Sequence, residues 1–276
     1  MSKPTSPESA SVMLQVRGLA RSFGGVRAVR GVDLLVRAGE AVALIGANGA
    51  GKTTTFNLIN GQLRPDAGTI HLAGHAIGGR SPEELFRIGV ARTFQITATF
   101  SSMTVRENVQ MALLSHDRAF APSWRALARR ADRAGAERAM ALLAEQGLDA
   151  QAHRAANELA YGDLKRLELA MALASEPRLL LMDEPTAGMA PTEREPLMRS
   201  ALAACRVRGA ALLFTEHDMD IVFNFADRVI VLDRGSVIAE GRPEDIRRHD
   251  EVRAVYLGER GAFLGDKRVG ANDVDA

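Results

Sequence analysis

The stretch Gly46-Ala47-Asn48-Gly49-Ala50-Gly51-Lys52-Thr53 constrains the fold more than any other part of the chain. It meets every specified position of the pattern Gly-x-x-x-x-Gly-Lys-Ser/Thr, and it lies where a strand should turn into a helix. Residues 41–45, Ala-Val-Ala-Leu-Ile, form a short apolar run suited to a buried parallel strand, and residues 53–59 read as a helix. Gly46, Gly49 and Gly51 let the backbone turn tightly enough to aim successive N–H groups at an anion, and the helix N-terminus adds positive potential. Lys52 would then reach the β- and γ-phosphates of a nucleotide, the Thr53 hydroxyl would ligate Mg²⁺, and Asn48, Ala50 and Thr54 complete the candidate phosphate-binding set.

A chain of 276 residues can bury a full core and suits one α/β domain, or such a domain with a smaller insertion. Its 35 basic and 34 acidic residues nearly cancel to +1, so no global field would draw it onto nucleic acid or an anionic bilayer. Cys205 is the single cysteine, which excludes an internal disulfide or a cysteine metal cluster and suits a reducing compartment. No apolar run approaches the roughly eighteen residues a membrane span needs. Residues 1–11, Ser/Pro-rich with no apolar centre, read as a loose tail rather than a signal peptide, and residues 260–276 as a disordered extension.

Short apolar alternations broken by Gly18, Gly24-Gly25 and Gly31 predict antiparallel strands and turns over residues 12–36. Residues 69–72 and 90–94 read as further strands, and residues 96–157 as an Ala/Arg/Leu-rich helical insertion. Within it, residues 124–146 carry Leu127, Ala131, Ala134, Leu142 and Leu143 near one face. That pattern predicts an amphipathic helix whose arginines are solvated rather than nucleic-acid-binding. Strands at 179–182, 211–214 and 228–232 alternate with helices, which predicts a parallel sheet covered on both faces.

Leu179-Leu180-Leu181-Met182-Asp183-Glu184 is an apolar strand ending in two carboxylates, and ligands of open α/β sheets sit at such carboxyl ends. Asp183 is placed to hold Mg²⁺ through its water shell, and Glu184 to polarise a water that attacks the γ-phosphate. His217 follows the strand at 211–214 and falls at the same edge, where an imidazole could bond the γ-phosphate and help position Glu184 or the water. His71, His75, His116, His153 and His249 have no ligand-like spacing and read as solvated or structural. Gln95, after the strand ending Thr93-Phe94, could reach the nucleotide through Mg²⁺ or water, or be only a turn residue.

With Leu159-Ala160-Tyr161-Gly162-Asp163 followed by Leu164-Lys165-Arg166-Leu167-Glu168-Leu169-Ala170, the chain over residues 12–259 resembles the ABC-type ATPases. The resemblance implies a P-loop NTPase fold of ABC type: a mixed sheet core, an antiparallel β subdomain, and a helical subdomain inserted at about 96–160. It also implies ATP and Mg²⁺ as cofactors, with ATP sandwiched between two ATPase chains. Carried over residue by residue, Phe23 resembles the aromatic that stacks on adenine and Gln95 the glutamine that senses the membrane partner and its metal. Glu184 resembles the catalytic base and His217 the switch histidine, while Tyr161, Gly162 and Asp163 fall in the signature that meets the γ-phosphate of the other subunit.

That signature departs from the family's Leu-Ser-Gly-Gly-Gln. Ala160 replaces the serine, Tyr161 a glycine and Asp163 the glutamine, so the trans phosphate contact is weakened, and Asp163 is a favoured residue for capping the helix. Together with Arg92-Thr93-Phe94-Gln95, Met103-Thr104-Val105-Arg106-Glu107-Asn108, Glu216-His217-Asp218-Met219 and Val255-Tyr256-Leu257-Gly258-Glu259, the departures resemble the first ATP-binding subunit of branched-chain amino acid (Liv-type) importers. Ala190, in Ala187-Gly188-Met189-Ala190-Pro191, lacks the polar side chain usual in the loop that crosses to the partner. This likeness implies a second, distinct ATPase subunit, two membrane permease subunits, a periplasmic solute-binding protein further off, and a peripheral place on the cytoplasmic face of the inner membrane. The alternatives are a soluble non-transport ABC ATPase and a catalytically weak nucleotide-binding subunit; the solute itself is not legible.

Overall fold

The computed structural model describes residues 11–93, 99–120 and 133–257. Strands β1 (Val12–Phe23) and β2 (Val26–Arg37) form a hairpin, and β3 (Ala41–Gly46) runs into α1 (Lys52–Ile59). After β4 (Ala67–Leu72), β5 (His75–Ala76), α2 (Pro82–Arg87) and β6 (Val90–Thr93), three helices intervene: α3 (Val105–Phe120), α4 (Arg133–Glu145) and α5 (Tyr161–Leu173). The chain then alternates through β7 (Leu179–Asp183), α6 (Pro191–Arg208), β8 (Ala211–Thr215), α7 (Met219–Phe225) and β9 (Arg228–Asp233), and ends in β10 (Ser236–Gly241), α8 (Pro243–Arg248) and α9 (Asp250–Leu257).

The strands make two sheets. One is four-stranded and antiparallel, in the order β2-β1-β4-β5, and matches the expected β subdomain. The other is six-stranded, in the order β10-β9-β3-β8-β7-β6, parallel throughout except that β10 returns antiparallel along β9. That mixed pairing is the core the family resemblance implies; the alternation of strands and helices alone predicts a parallel sheet and does not disclose β10, which adds the antiparallel pair.

Central strands that are apolar at every position must face two hydrophobic layers, because successive side chains point to opposite faces. Leu180 and Met182 of β7, Leu212 and Phe214 of β8, and Ala43 and Ile45 of β3 join a core with Val109, Leu143, Leu167 and Leu197 of the helices. Their neighbours Leu179, Leu181, Leu213, Val42 and Leu44 join a second core with Phe56 of α1 and with Leu14, Val32 and Ile70 of the antiparallel sheet. The big sheet is thus sandwiched between a helical layer and a layer made of α1 and the small sheet. Its carboxyl edge, where Gly46, Asp183 and Thr215 end neighbouring strands, remains for chemistry.

The helical expectation for residues 96–157 corresponds to α3, α4 and two short turns at Asp149–Gln151 and Ala156–Glu158. Residues 94–98 and 121–132 lie outside the described residues, so the expectations for Gln95 and for the first part of the 124–146 helix are not met by a structural observation; α4 carries its second part, with Leu142 and Leu143 buried. The proposed tails fall almost wholly outside the described residues too, except that the Ser11 carbonyl accepts from Ala38 N–H. The helix α2 was not foreseen, although Ser81-Pro82-Glu83-Glu84 spells its start. The Ser81 hydroxyl accepts from Glu84 N–H, the Glu84 carboxylate accepts from Ser81 N–H, and Pro82 opens the first turn.

Candidate active site

The loop between β3 and α1 is built from residues that accept the backbone it needs. Gly51, the N-cap of α1, sits at φ 102°, and a Cβ there would stand 2.6 Å from the Ala28 carbonyl oxygen, so only glycine fits. The loop is tied back by Ala50 N–H to Ala47 O (3.1 Å) and by Gly235 N–H to Ala50 O (2.9 Å). Lys52 opens α1 almost fully buried, its ammonium donating to the carbonyls of Gly46 (2.5 Å) and Ala47 (3.1 Å). Gly46, Asn48, Gly49, Ala50, Thr53 and Thr54 surround the same turn. A buried ammonium donating to loop carbonyls beside a helix N-terminus puts positive potential where a polyanion can bind.

Phe23, at the end of β1, is 43% exposed, and the Arg21 guanidinium lies 5.0 Å from its ring centroid. Asp66 fixes this corner: it accepts from Arg21 (2.7 Å) and from Ser22 N–H (2.7 Å). An exposed aromatic held by a fixed neighbour offers a face for a planar base. Asp66 went unrecognised in the sequence, its only signal being the Pro65-Asp66 turn before β4.

Asp183 and Glu184 end β7, and their two side chains have different surroundings. Both oxygens of the buried Asp183 carboxylate are engaged, one by the Thr215 hydroxyl at 2.6 Å and the other by Arg92 at 2.7 Å. Arg92 also donates to Asn57 of α1 (2.6 Å) and to Gln62 (3.0 Å), so a single guanidinium joins α1, β6 and β7 beneath the phosphate loop. That knot escaped sequence reasoning, which placed Arg92 only in a run before Gln95.

Glu184 adopts φ 48°, a left-handed conformation rare outside glycine, and its N–H bonds the Thr215 carbonyl (3.1 Å) and hydroxyl (3.0 Å). Its carboxylate meets His217 Nε2 at 2.9 Å, as the sequence anticipated for two groups at one edge. Glu216, between Thr215 and His217, is buried and accepts from Thr186 N–H (2.8 Å), the Thr186 hydroxyl (2.7 Å) and His217 N–H (3.1 Å). Burial pushes its carboxyl above the ordinary value, against the pull of the bonds from Thr186, His217 and Asp218.

The segment 159–163 lies at the start of α5. The expectation that Asp163 caps this helix is corrected: the N-cap is Ala160, which has no side-chain bond, and Asp163 is the third helical residue. Its carboxylate accepts from Gln151 (2.7 Å) and pairs with Arg166 (3.5 Å), a local engagement that a pattern of cap residues could not disclose. Tyr161 donates its hydroxyl to the Ala187 carbonyl at 3.2 Å and lays its ring against Gly188, joining this helix to the loop after β7. Gly162 is buried against the Glu193 carboxylate, 2.5 Å from where a Cβ would be. Ala190 is the N-cap of α6, again without a side-chain bond.

Among the described residues no group of three or more His, Cys, Asp or Glu could hold a metal by itself. A hydroxyl at Thr53 and a carboxylate at Asp183 instead suit a hard cation that takes its remaining oxygens from water and phosphates, as Mg²⁺ does.

A phosphate loop on β3, a strand-end carboxylate pair on β7 and a histidine after β8 define a P-loop nucleotide-binding cassette. The sequence pattern of the family described as ABC transporter matches residues 29–187, and that of the branched-chain amino acid ATP-binding cassette transporters matches residues 236–262. The chain is 40% identical over 252 residues to the high-affinity branched-chain amino acid transport ATP-binding protein LivG of Salmonella typhimurium, covering 90% of this chain and 98% of the relative. It is 40% identical over 250 residues to BraF of Pseudomonas aeruginosa, a protein of the same description, again covering 90% and 98%. Two crystal structures superpose at TM-score 0.78 with 31% identity: a nucleotide-free ATP-binding cassette from an ABC transporter (90% of this chain, 100% of that one) and a cassette in its ADP conformation (90% and 99%). The chain belongs to the ABC transporter family, as one of its ATP-hydrolysing cassettes.

Proposed function

We propose that this cassette powers an importer for branched-chain amino acids or related small polar solutes, working from the cytoplasmic face of the membrane as a peripheral subunit. The names of the relatives and the family matched at residues 236–262 support the solute class. No helix among the described residues is long and apolar enough to cross a bilayer, so the passage itself would belong to membrane permease subunits. A second, distinct ATPase would complete the pair, and a periplasmic binding protein would deliver solute.

The observation that carries the reaction is the 2.9 Å contact of Glu184 and His217 at the sheet edge next to the phosphate loop. In this reading Lys52 leaves the carbonyls of Gly46 and Ala47 for the β- and γ-phosphates, the N–H groups of Gly49 to Thr54 cradle them, and Phe23 carries the adenine. Thr53 and Asp183, with Gln95, would hold Mg²⁺, which would neutralise charge on the phosphate oxygens. Glu184 takes a proton from the attacking water, and His217 orients that carboxylate and bonds the γ-phosphate. The start of α5, with Tyr161, Gly162 and Asp163, faces the nucleotide of the partner chain. ATP would draw the two chains together and its hydrolysis release them, because closure is favoured only while the γ-phosphate bridges them.

A groove of about 750 Å³ lies between α2, β6, α3 and α5, and in this reading it receives a short helix of the permease. Its wall is largely apolar, with Leu85, Phe86, Val90, Met111 and Met171, and it includes Thr93 and Phe100, which flank Gln95 in sequence.

The test is to purify tagged Glu184→Gln protein with ATP from detergent-solubilised membranes of its host and identify what accompanies it. Two polytopic proteins and a second ATPase establish the importer; soluble ribosomal or DNA-bound partners overturn it. Uptake of labelled leucine in cells lacking the chain then tests the solute class.

A further inference from the structure

Two loops carry the groups assigned to hydrolysis, and each is anchored to a different strand. Glu184 follows β7 and His217 follows β8, so their 2.9 Å contact requires the loops to hold a fixed separation. Edge bonds from Thr215 to Asp183 and to Glu184 N–H settle the strand ends but stop short of Pro185 and beyond. Glu184 is also held at φ 48°, a conformation that persists in a non-glycine residue only where its surroundings over-determine it.

We propose that Glu216 is a positioning residue for hydrolysis, a buried carboxylate clamp that locks the Glu184 loop to the His217 loop. One of its oxygens, Oε1, takes both donors of Thr186, the N–H at 2.8 Å and the hydroxyl at 2.7 Å. The other, Oε2, takes the N–H of His217 at 3.1 Å. Each loop is therefore held by its own oxygen of one rigid, planar group. Thr186 lies two residues past Glu184, and a bond from Ala187 N–H to the Glu184 carbonyl (3.1 Å) closes the turn between them, so fixing Thr186 fixes Glu184. Thr186 and Glu216 are only 2% and 4% exposed, which leaves water no access to replace a lost bond.

The clamp demands a carboxylate. All its partners are donors, and a carboxylate offers acceptors on both oxygens, whereas an amide offers one oxygen and turns its NH₂ toward either the Thr186 or the His217 N–H. Glu216→Gln, nearly identical in size, must break the clamp on one side. The proposal rests on the reading of Glu184 and His217 as the hydrolytic pair, and its test separates the two.

The experiment compares steady-state ATP hydrolysis and mant-ATP affinity of the full-length chain with Glu216→Gln, Thr186→Val, Thr186→Ser and Glu184→Gln. Glu216→Gln is expected to lower kcat at least about tenfold, as a small misplacement of reacting groups does, with mant-ATP Kd within about twofold of the parent. Thr186→Val should also lose rate, and Thr186→Ser, which keeps the hydroxyl, should recover most of it. If Glu216→Gln fails to fold by circular dichroism, the Val/Ser pair decides alone. Native turnover in Glu216→Gln or in Thr186→Val, or a Kd that worsens in step with the rate, overturns the clamp. Unchanged turnover in Glu184→Gln instead overturns the hydrolytic pair on which it rests, and the clamp's role with it.

Discussion

The imidazole of His217 and the carboxylate of Glu184 lie 2.9 Å apart, joined across the ends of two adjacent parallel strands. General-base chemistry contributes about 10²- to 10⁴-fold to such reactions. Glu184→Gln is accordingly expected to lower kcat by at least about 100-fold while ATP still binds. His217→Ala should lower kcat less. A phosphate-release assay beside mant-ATP titration gives both quantities, and full turnover in either variant removes that residue from the reaction.

Lys52 is expected to govern binding rather than the chemical step alone. Its ammonium donates to the loop carbonyls of Gly46 and Ala47 at 2.5 and 3.1 Å. A hydrogen bond to a charged group contributes about 1.5–3 kcal/mol, so Lys52→Ala should weaken ATP affinity roughly 10- to 150-fold. Isothermal titration with ATP measures it.

Arg92 supplies a structural prediction. The guanidinium and the Asp183 carboxylate are 11% and 6% exposed, and Arg92 binds Asn57 and Gln62 as well. Removing one partner of a buried ion pair leaves the other charge uncompensated, which costs about 3–5 kcal/mol. Arg92→Ala should lower unfolding stability in urea by about that much, and Arg92→Lys should not restore it, because one ammonium lacks the forked reach to three acceptors.

At Ala190 the helix α6 begins with no side-chain cap. Pro191 has no N–H and Glu193 N–H already donates to the Ala190 carbonyl (2.9 Å), so the side-chain oxygen of Ala190→Asn would serve chiefly the Thr192 N–H and should stabilise the chain by about 1 kcal/mol in thermal or urea unfolding. No gain would mean that this N–H already has a partner.

Cys205 lies wholly buried in α6, and burial pushes its thiol up to about 12 from an ordinary 9.0, against a small opposing pull from Arg208. Ellman's reagent at pH 8 should leave the folded chain nearly untouched and titrate one thiol in denaturant. The unfolded thiol ionises near 9 while the folded one keeps its proton, so the folded state holds more protons in that window. Stability from this group is complete below about pH 9 and is lost as pH rises toward 12, a slope that Cys205→Ala should remove.

Local patterns carried much of the site. The phosphate loop needs glycines, a lysine and a hydroxyl in strict spacing, so Gly46 to Thr53 was legible at once, and so were Asp183, Glu184 and His217, because apolar strands announce their own ends. The capping box of Ser81 and Glu84 was equally legible yet passed unread beside stronger signals. Asp163 misled because a favoured cap residue is defined by its neighbours' dihedral angles, and the chain enters the helix three residues earlier, at Ala160.

What the sequence determined by itself is the set of chemical groups and the strand or helix that bears each one, since periodicity and spacing act over a few residues. Only the tertiary structure decided which groups meet. Arg92 and Asp183 are separated by 91 residues, and Thr186 and Glu216 by 30. They are brought together because β6, β7 and β8 lie side by side in an order that the burial of two opposite apolar faces selects.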